Sequence, residues 1–182
     1  MKKSFVFLAN GFEEIEALVT VDVLRRAGID TTTVSITDSQ VVTGAHNIEV
    51  KADTTIANIT CNAEDIIVLP GGMPGATNLA ECATLTEMLT AHNNAQGLIA
   101  AICASPAVVL APIGVLSGKK ATCYPGFEGA FTDCTKGETP VVVDGNVITG
   151  NGPATAIAFA LAIVRKAVSE DKAQEVASGM LV

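Results

Sequence analysis

One stretch, Gly97–Leu110 (GLIAAICASPAVVL), constrains the fold of this chain more than any other. Leu98 to Ile102 is an apolar run of the length of a buried strand, and an apolar helical segment follows with Ser105 and Pro106 at its start. Only a sharp turn fits between them, and Cys103 occupies it. A strand, a tight turn and a helix place the turn side chain at the carboxyl end of a sheet strand and under the positive end of a helix. That is the geometry of a nucleophile elbow. Helix N-termini lower a thiol pKa from about 8.5 to between roughly 3.5 and 7.5, so the elbow predicts a Cys103 that ionises near neutral pH. The competing reading is a small buried apolar residue, since free cysteine is among the most buried types.

The remaining pattern alternates strands with helices. Ser4 to Ala9 reads as a buried strand, Glu13 to Ala27 as a helix closed by Gly28, and Thr31 to Ile36 as a second strand. Val41 to Val50, broken by Gly44, reads as a hairpin excursion. Ile66 to Leu69 is another buried strand, followed by a helical region interrupted between Leu79 and Thr84. After the elbow come a short strand at Ala121–Cys123, a helical turn at 127–131, a hairpin at 140–149, an alanine-rich helix from Pro153 and a last helix capped by Ser169. This order predicts one α/β domain over residues 1–182, a sandwich with a mostly parallel sheet. Ligands of such sheets bind at the carboxyl ends of the strands, where Gly11, Gly71-Gly72, Cys103, Tyr124 and Asn151-Gly152 all fall.

Glu16 is the second residue of interest. On a helical projection it lies away from the solvated side marked by Asp22, Arg25 and Arg26, and so points inward. A carboxylate facing a sheet loses hydration, its pKa rises, and it can serve as acid and then base beside a thiol. Glu13 and Glu14 instead read as first-turn glutamates stabilised by the helix dipole. The turn Leu69–Gly75 (LPGGMPG) lacks both phosphate-loop spacings, which argues against nucleotide binding. Its backbone amides suit a developing oxyanion better, with Gly72 N–H and Ala104 N–H as the expected pair. Gly71, Met73, Ser105, Tyr124, His46 and Asn151 are the expected pocket lining.

Composition excludes several other classes. A net charge of −8 with no basic run beyond lysine pairs argues against nucleic acid as a partner. Leu98 to Leu116 approaches membrane-spanning length but carries Pro106, Pro112 and Gly114, so a membrane span is not expected. The apolar run of MKKSFVFLAN ends at Asn10-Gly11 without a cleavage signature and reads as a first strand rather than a leader. Five widely spaced cysteines without a C-x-x-C imply a reducing, cytoplasmic setting, and the two histidines pair with no cysteine at metal spacing. No metal and no cofactor are expected. Charged residues are only 16% of the chain, which points to surface buried in a partner subunit.

The segments GFEEIEALVTVDVLRRAGI, IIVLPGGMPGATNLAE, GLIAAICASPAVVLAPIGVL and GNGPATAIAFALAIV together resemble the ThiJ/PfpI superfamily, on the branch of the parkinsonism-associated protein deglycase. The resemblance implies a flavodoxin-like sandwich, a homodimer, a reactive cysteine at Cys103, its glutamate partner at Glu16, and oxyanion-type amides at Gly72 and Ala104. It implies a cofactor-independent glyoxalase or deglycase acting on a small carbonyl such as methylglyoxal, or alternatively an oxidative-stress sensor or redox-regulated chaperone. Similar sequences have also been tied to peptidases and to thiamine biosynthesis. The peptidase-like branch has a histidine directly after the cysteine, and Ala104 stands here instead. The deglycase branch often has a histidine where this chain has Tyr124 and an arginine where it has His46, which leaves Glu16 as the main proton carrier.

Overall fold

The computed structural model describes residues 2–182. Its centre is a seven-stranded sheet in the order β10-β11-β7-β6-β1-β2-β5. These strands are β1 (Lys3–Leu8), β2 (Asp30–Ser35), β5 (Thr54–Thr55), β6 (Ile66–Leu69), β7 (Leu98–Ile102), β10 (Val141–Asp144) and β11 (Val147–Gly150). Every pairing is parallel except β10 with β11, a hairpin at the edge. The five main parallel strands thus run 2-1-3-4-5 in chain order, the flavodoxin-like arrangement, whose order reverses between β1 and β6.

Burial on both faces explains why the central strands read as unbroken apolar runs rather than alternating ones. The period of two then divides them between two cores. Val6, Leu8, Ile66, Val68, Ala100 and Ile102 face one side, with Leu24, Phe159 and Ile163 from α1 (Glu14–Arg26) and α4 (Ala156–Ala167). Phe5, Phe7, Ile67, Leu69, Ile99 and Ala101 face the other, with Leu79 of α2 (Gly75–Glu81) and Leu85 and Leu89 of α3 (Ala83–Asn94). Fully burying one such side chain contributes about 1.5–3 kcal/mol, so the two layers hold the sheet from both sides. The last helix, α5 (Glu170–Gly179), packs on α4 and is capped as expected, Ser169 Oγ accepting from Lys172 N–H at 3.1 Å. No described helix is long and apolar enough to cross a membrane.

Two small ribbons lie outside the main sheet: β3 (Val41–Thr43) with β4 (Glu49–Lys51), and β8 (Lys120–Ala121) with β9 (Thr135–Lys136). The expected short strand at Ala121–Cys123 is present one residue earlier, two residues long, and pairs with β9 outside the central sheet.

Candidate active site

Three chain turns meet where the strand order reverses: residues 9–13 after β1, 70–75 after β6, and Cys103 after β7. The main chain binds them together. Glu13 N–H donates to Gly71 O at 2.9 Å, Gly75 N–H to Gly11 O at 3.2 Å, and Cys103 N–H to Gly150 O at 2.9 Å. The turns are so close that a Cβ on Gly72, whose φ is +88°, would lie 2.4 Å from Glu13 N. Glycine is required there by both conformation and space.

Cys103 adopts φ +65°, a left-handed conformation that costs a non-glycine residue on the order of 1–3 kcal/mol. The surroundings enforce it: its N–H is held by β11, and its carbonyl accepts from Tyr124 N–H at 2.8 Å. The expected elbow is therefore present, with the cysteine only 8% exposed. The expected acidity is not. Burial pushes the Cys103 thiol up to about 12, and the charge of Glu16 pushes the same way, against the Gly72 and Ala104 amides that favour the thiolate. The following segment is a five-residue π-helix, Pro106–Leu110, too short to supply a strong dipole. Those two amides, the expected oxyanion pair, lie within reach of the sulfur itself.

Glu16 projects from α1 into the same spot and is fully buried, as its helical position requires. Its Oε2 accepts from Gly71 N–H at 2.7 Å. Burial pushes its carboxyl up to about 7, while the bonds from Gly71 and Cys103 draw it down and the charge of Glu13 adds to the rise. Its Oε1 makes no hydrogen bond of regular geometry, and the Cys103 side chain is the partner within reach. Burial thus raises both groups, and because each lies within reach of the other, a proton can pass between thiol and carboxyl. Such a pair can release a nucleophile and store its proton in one step.

The other expected residues divide by exposure. Ser105 is buried, its Oγ donating to Pro70 O, so it locks the elbow to the β6 turn and offers no free hydroxyl. Met73 and Tyr124 are 49% and 45% exposed. The Tyr124 ring meets Phe127 edge-on at 6.4 Å and stands 3.3 Å from where a Gly152 Cβ would be. Asn151 is partly buried, its Oδ1 accepting from Thr155 Oγ1 at 3.2 Å. Cys123 is buried.

His46 reaches the same edge from the β3–β4 hairpin and adds a partner for Glu14 that the sequence does not show. Glu14 is a first-turn glutamate as expected, but it does more than face the helix dipole. It is buried, its Oε1 accepts from His46 N–H at 2.8 Å, and its Oε2 lies 2.7 Å from His46 Nδ1. Burial alone would raise the Glu14 carboxyl, but the His46 bonds outweigh it and hold it below the usual range. The same contacts raise His46. The pattern that could have shown this is the spacing Glu14, Ala17, Val21, Leu24, four buried residues on one stripe of α1. Glu13, Glu14 and His46 bring ligand atoms within 4.8 Å of one another, yet both Glu14 oxygens are already engaged by His46, which accounts for the cluster as an ion pair.

A fully buried glutamate beside a strained cysteine at the switch point of a 2-1-3-4-5 sheet defines a cysteine-elbow protein of the flavodoxin-like class. The profile of the DJ-1/PfpI family matches residues 2–166, and the chain belongs to that family. It is 41% identical to protein DJ-1 homolog B of Arabidopsis thaliana, covering all of this chain but only 41% of that longer protein. It is 36% identical to a Caenorhabditis elegans protein named glutathione-independent glyoxalase DJR-1.2, over 88% of this chain and 85% of the relative. The solved structure of oxidized Toxoplasma gondii DJ-1 superposes with a TM-score of 0.96 at 40% identity, covering 100% of this chain and 98% of that one.

Proposed function

We propose that this chain is a cofactor-independent glyoxalase or deglycase-type enzyme that converts small 2-oxoaldehydes such as methylglyoxal to 2-hydroxy acids. The observation that carries the reading is the Cys103–Glu16 pair, a sulfur at a strained elbow with a fully buried carboxyl beside it. The name of the Caenorhabditis elegans relative supports the reaction class. In the proposed reaction the Cys103 sulfur bonds to the aldehyde carbon while its proton passes through Glu16 to the new alkoxide, giving a hemithioacetal. Glu16 then takes the C1 hydrogen as a proton while the C2 carbonyl oxygen is protonated, giving an enediol; returning that proton to carbon C2 as the C1 hydroxyl loses its own leaves a thioester at C1 and a hydroxyl at C2. Water cleaves the thioester and frees the thiol. Oxidation at one carbon balances reduction at its neighbour, so the reaction draws on no external electron carrier.

Purified protein incubated with methylglyoxal should yield lactate. Turnover should fall at least 100-fold in Cys103→Ser and in Glu16→Gln, the scale on which a nucleophile or a general base contributes. Wild-type turnover equal to that of Cys103→Ser would end this reading.

A second reading is favoured by the oxidized state of the Toxoplasma gondii structure: Cys103 as an oxidation sensor. Mild peroxide should then place a sulfinate on Cys103 ahead of Cys82 or Cys134, read by peptide mass spectrometry. Under either reading the protein acts in the cytoplasm as a homodimer. Exposed Ile15 and Leu18 on α1 and Ile48 on the β3–β4 hairpin, 53%, 41% and 52% exposed, support a covered face beside the site.

A further inference from the structure

Ser105 is the polar side chain of the elbow that the proposed reaction leaves unused. It is fully buried, and its Oγ donates to Pro70 O at 2.5 Å. The same peptide group carries the bond to the acid, Gly71 N–H donating to Glu16 Oε2 at 2.7 Å. The C=O and N–H of a trans peptide point in opposite directions, so the Ser105 hydroxyl and the Glu16 carboxyl lie on opposite sides of one rigid plane. Pro70, Gly71 and Glu16 are buried as well, so water does not compete for either bond.

We propose that Ser105 is a positioning residue for Glu16: acting through the Pro70–Gly71 peptide, its hydroxyl aims and strengthens the N–H bond that favours the charged, proton-accepting form of the carboxyl. Its importance for turnover rests on the acid–base role proposed for Glu16 above. Position 71 has to be glycine, because a Cβ there would lie 2.6 Å from Cys103 Cβ and 2.8 Å from Glu16 Oε2. Glycine also frees the peptide plane before it to rotate. The Ser105 hydroxyl holds the carbonyl end of that plane, which keeps the N–H aimed at Glu16. A donor on the carbonyl also draws electrons along the amide, and hydrogen bonds linked in this way strengthen one another by roughly 10–30% each.

The charge balance around Glu16 gives that bond its weight. Burial pushes the carboxyl up to about 7, and the Gly71 bond is the largest influence drawing it down. Cys103 faces it from the elbow and also draws it down, while the charge of Glu13, at the start of α1, raises it. The Glu14–His46 pair is engaged with itself at the hairpin. Ser105 bears no charge, so its removal weakens the Gly71 bond and leaves these charges in place.

The test is the titration of Glu16 in the full-length protein, followed by NMR on its own carboxyl carbon. In Ser105→Ala the midpoint should rise by about half a pH unit, and Ser105→Thr, which keeps the hydroxyl, should restore it. A midpoint about half a pH unit higher leaves roughly threefold less carboxylate at pH 6 and almost as much at pH 8.5. The kcat for lactate formation by Ser105→Ala should therefore fall about threefold at pH 6 and little at pH 8.5. In the wild type the Pro70 carbonyl carbon and the Gly71 amide nitrogen should titrate together with Glu16, a readout that stands even if a variant fails to fold. An unmoved Glu16 midpoint in Ser105→Ala, an equal loss of kcat at both pH values, or a Pro70 carbonyl that ignores the titration would overturn the proposal and leave Ser105 a packing residue. Wild-type protein that forms no lactate would instead end the glyoxalase reading, and the Glu16 titration would still decide the role of Ser105.

Discussion

Gly71 and Cys103 approach so closely that a Cβ on the glycine would lie 2.6 Å from the cysteine Cβ, and 2.8 Å from Glu16 Oε2. The missing side chain is the gap across which thiol and carboxyl communicate. Gly71→Ala should therefore push Cys103 and Glu16 apart, destabilising the fold by about 1–3 kcal/mol through overpacking and lowering turnover at least tenfold beyond the unfolded fraction. Circular dichroism with lactate formation measures both. Folded Gly71→Ala protein with wild-type turnover would show that the contact is dispensable.

Glu16 makes stability depend on pH in an unusual direction. Its folded pKa is raised from 4.5 to about 7, so between these values the folded state binds more protons than the unfolded one. Stability is fully present below pH 4.5 and is lost as pH rises through 7, by up to about 3 kcal/mol at 1.36 kcal/mol per pKa unit. The raised Cys103 thiol continues the loss above about pH 9. Glu16→Gln should remove the first of these slopes and leave the second. Urea unfolding of both proteins at pH 5 and pH 8 gives the comparison, and parallel behaviour of the two would contradict the buried-acid account.

The Glu14–His46 contact fastens the hairpin to the start of α1 beside the site, together with Gly11 N–H to Thr43 O at 2.7 Å and Ala45 N–H to Phe12 O at 2.8 Å. Replacing His46 by alanine keeps the backbone bond to Glu14 and removes the ring. The exposed position of His46 keeps the expected loss small, and the pair stabilises only above the lowered Glu14 pKa and below the raised His46 pKa, where both groups are charged. Denaturant midpoints at pH 4 and pH 7 should differ more for wild type than for His46→Ala.

How far these relationships can be read from sequence depends on the range over which they act. The elbow, the inward Glu16, both hairpins, the broken α2–α3 segment and the Ser169 cap are written in local periodicity and turn residues, and the structure reproduces them. Three features are not local. Glu14 finds its partner in a hairpin 32 residues away, which the helix stripe alone does not name. The partner of β8 is β9, fourteen or more residues further along the chain. The Cys103 pKa turns on the balance between two amides and a buried carboxylate from three separate loops or helices, and the elbow motif names only one of these. The motif located the sulfur correctly and misjudged its charge.

The exposed apolar face of α1 gives the last prediction. Ile15 and Leu18 are three residues apart, so they stand together on one stripe, and Ile48 extends the patch onto the hairpin that the Glu14–His46 contact holds down. The proposed homodimer would cover these three large aliphatic groups with a second copy. In a two-fold interface one substitution acts twice, so Ile15→Glu should bury two uncompensated charges per dimer and shift sedimentation toward the monomer at micromolar concentration. Because Glu14 and Glu16 flank Ile15 in the chain but point inward, the folded monomer should keep its far-ultraviolet spectrum. A sedimentation coefficient that matches wild type across that range would mean the patch is not the interface.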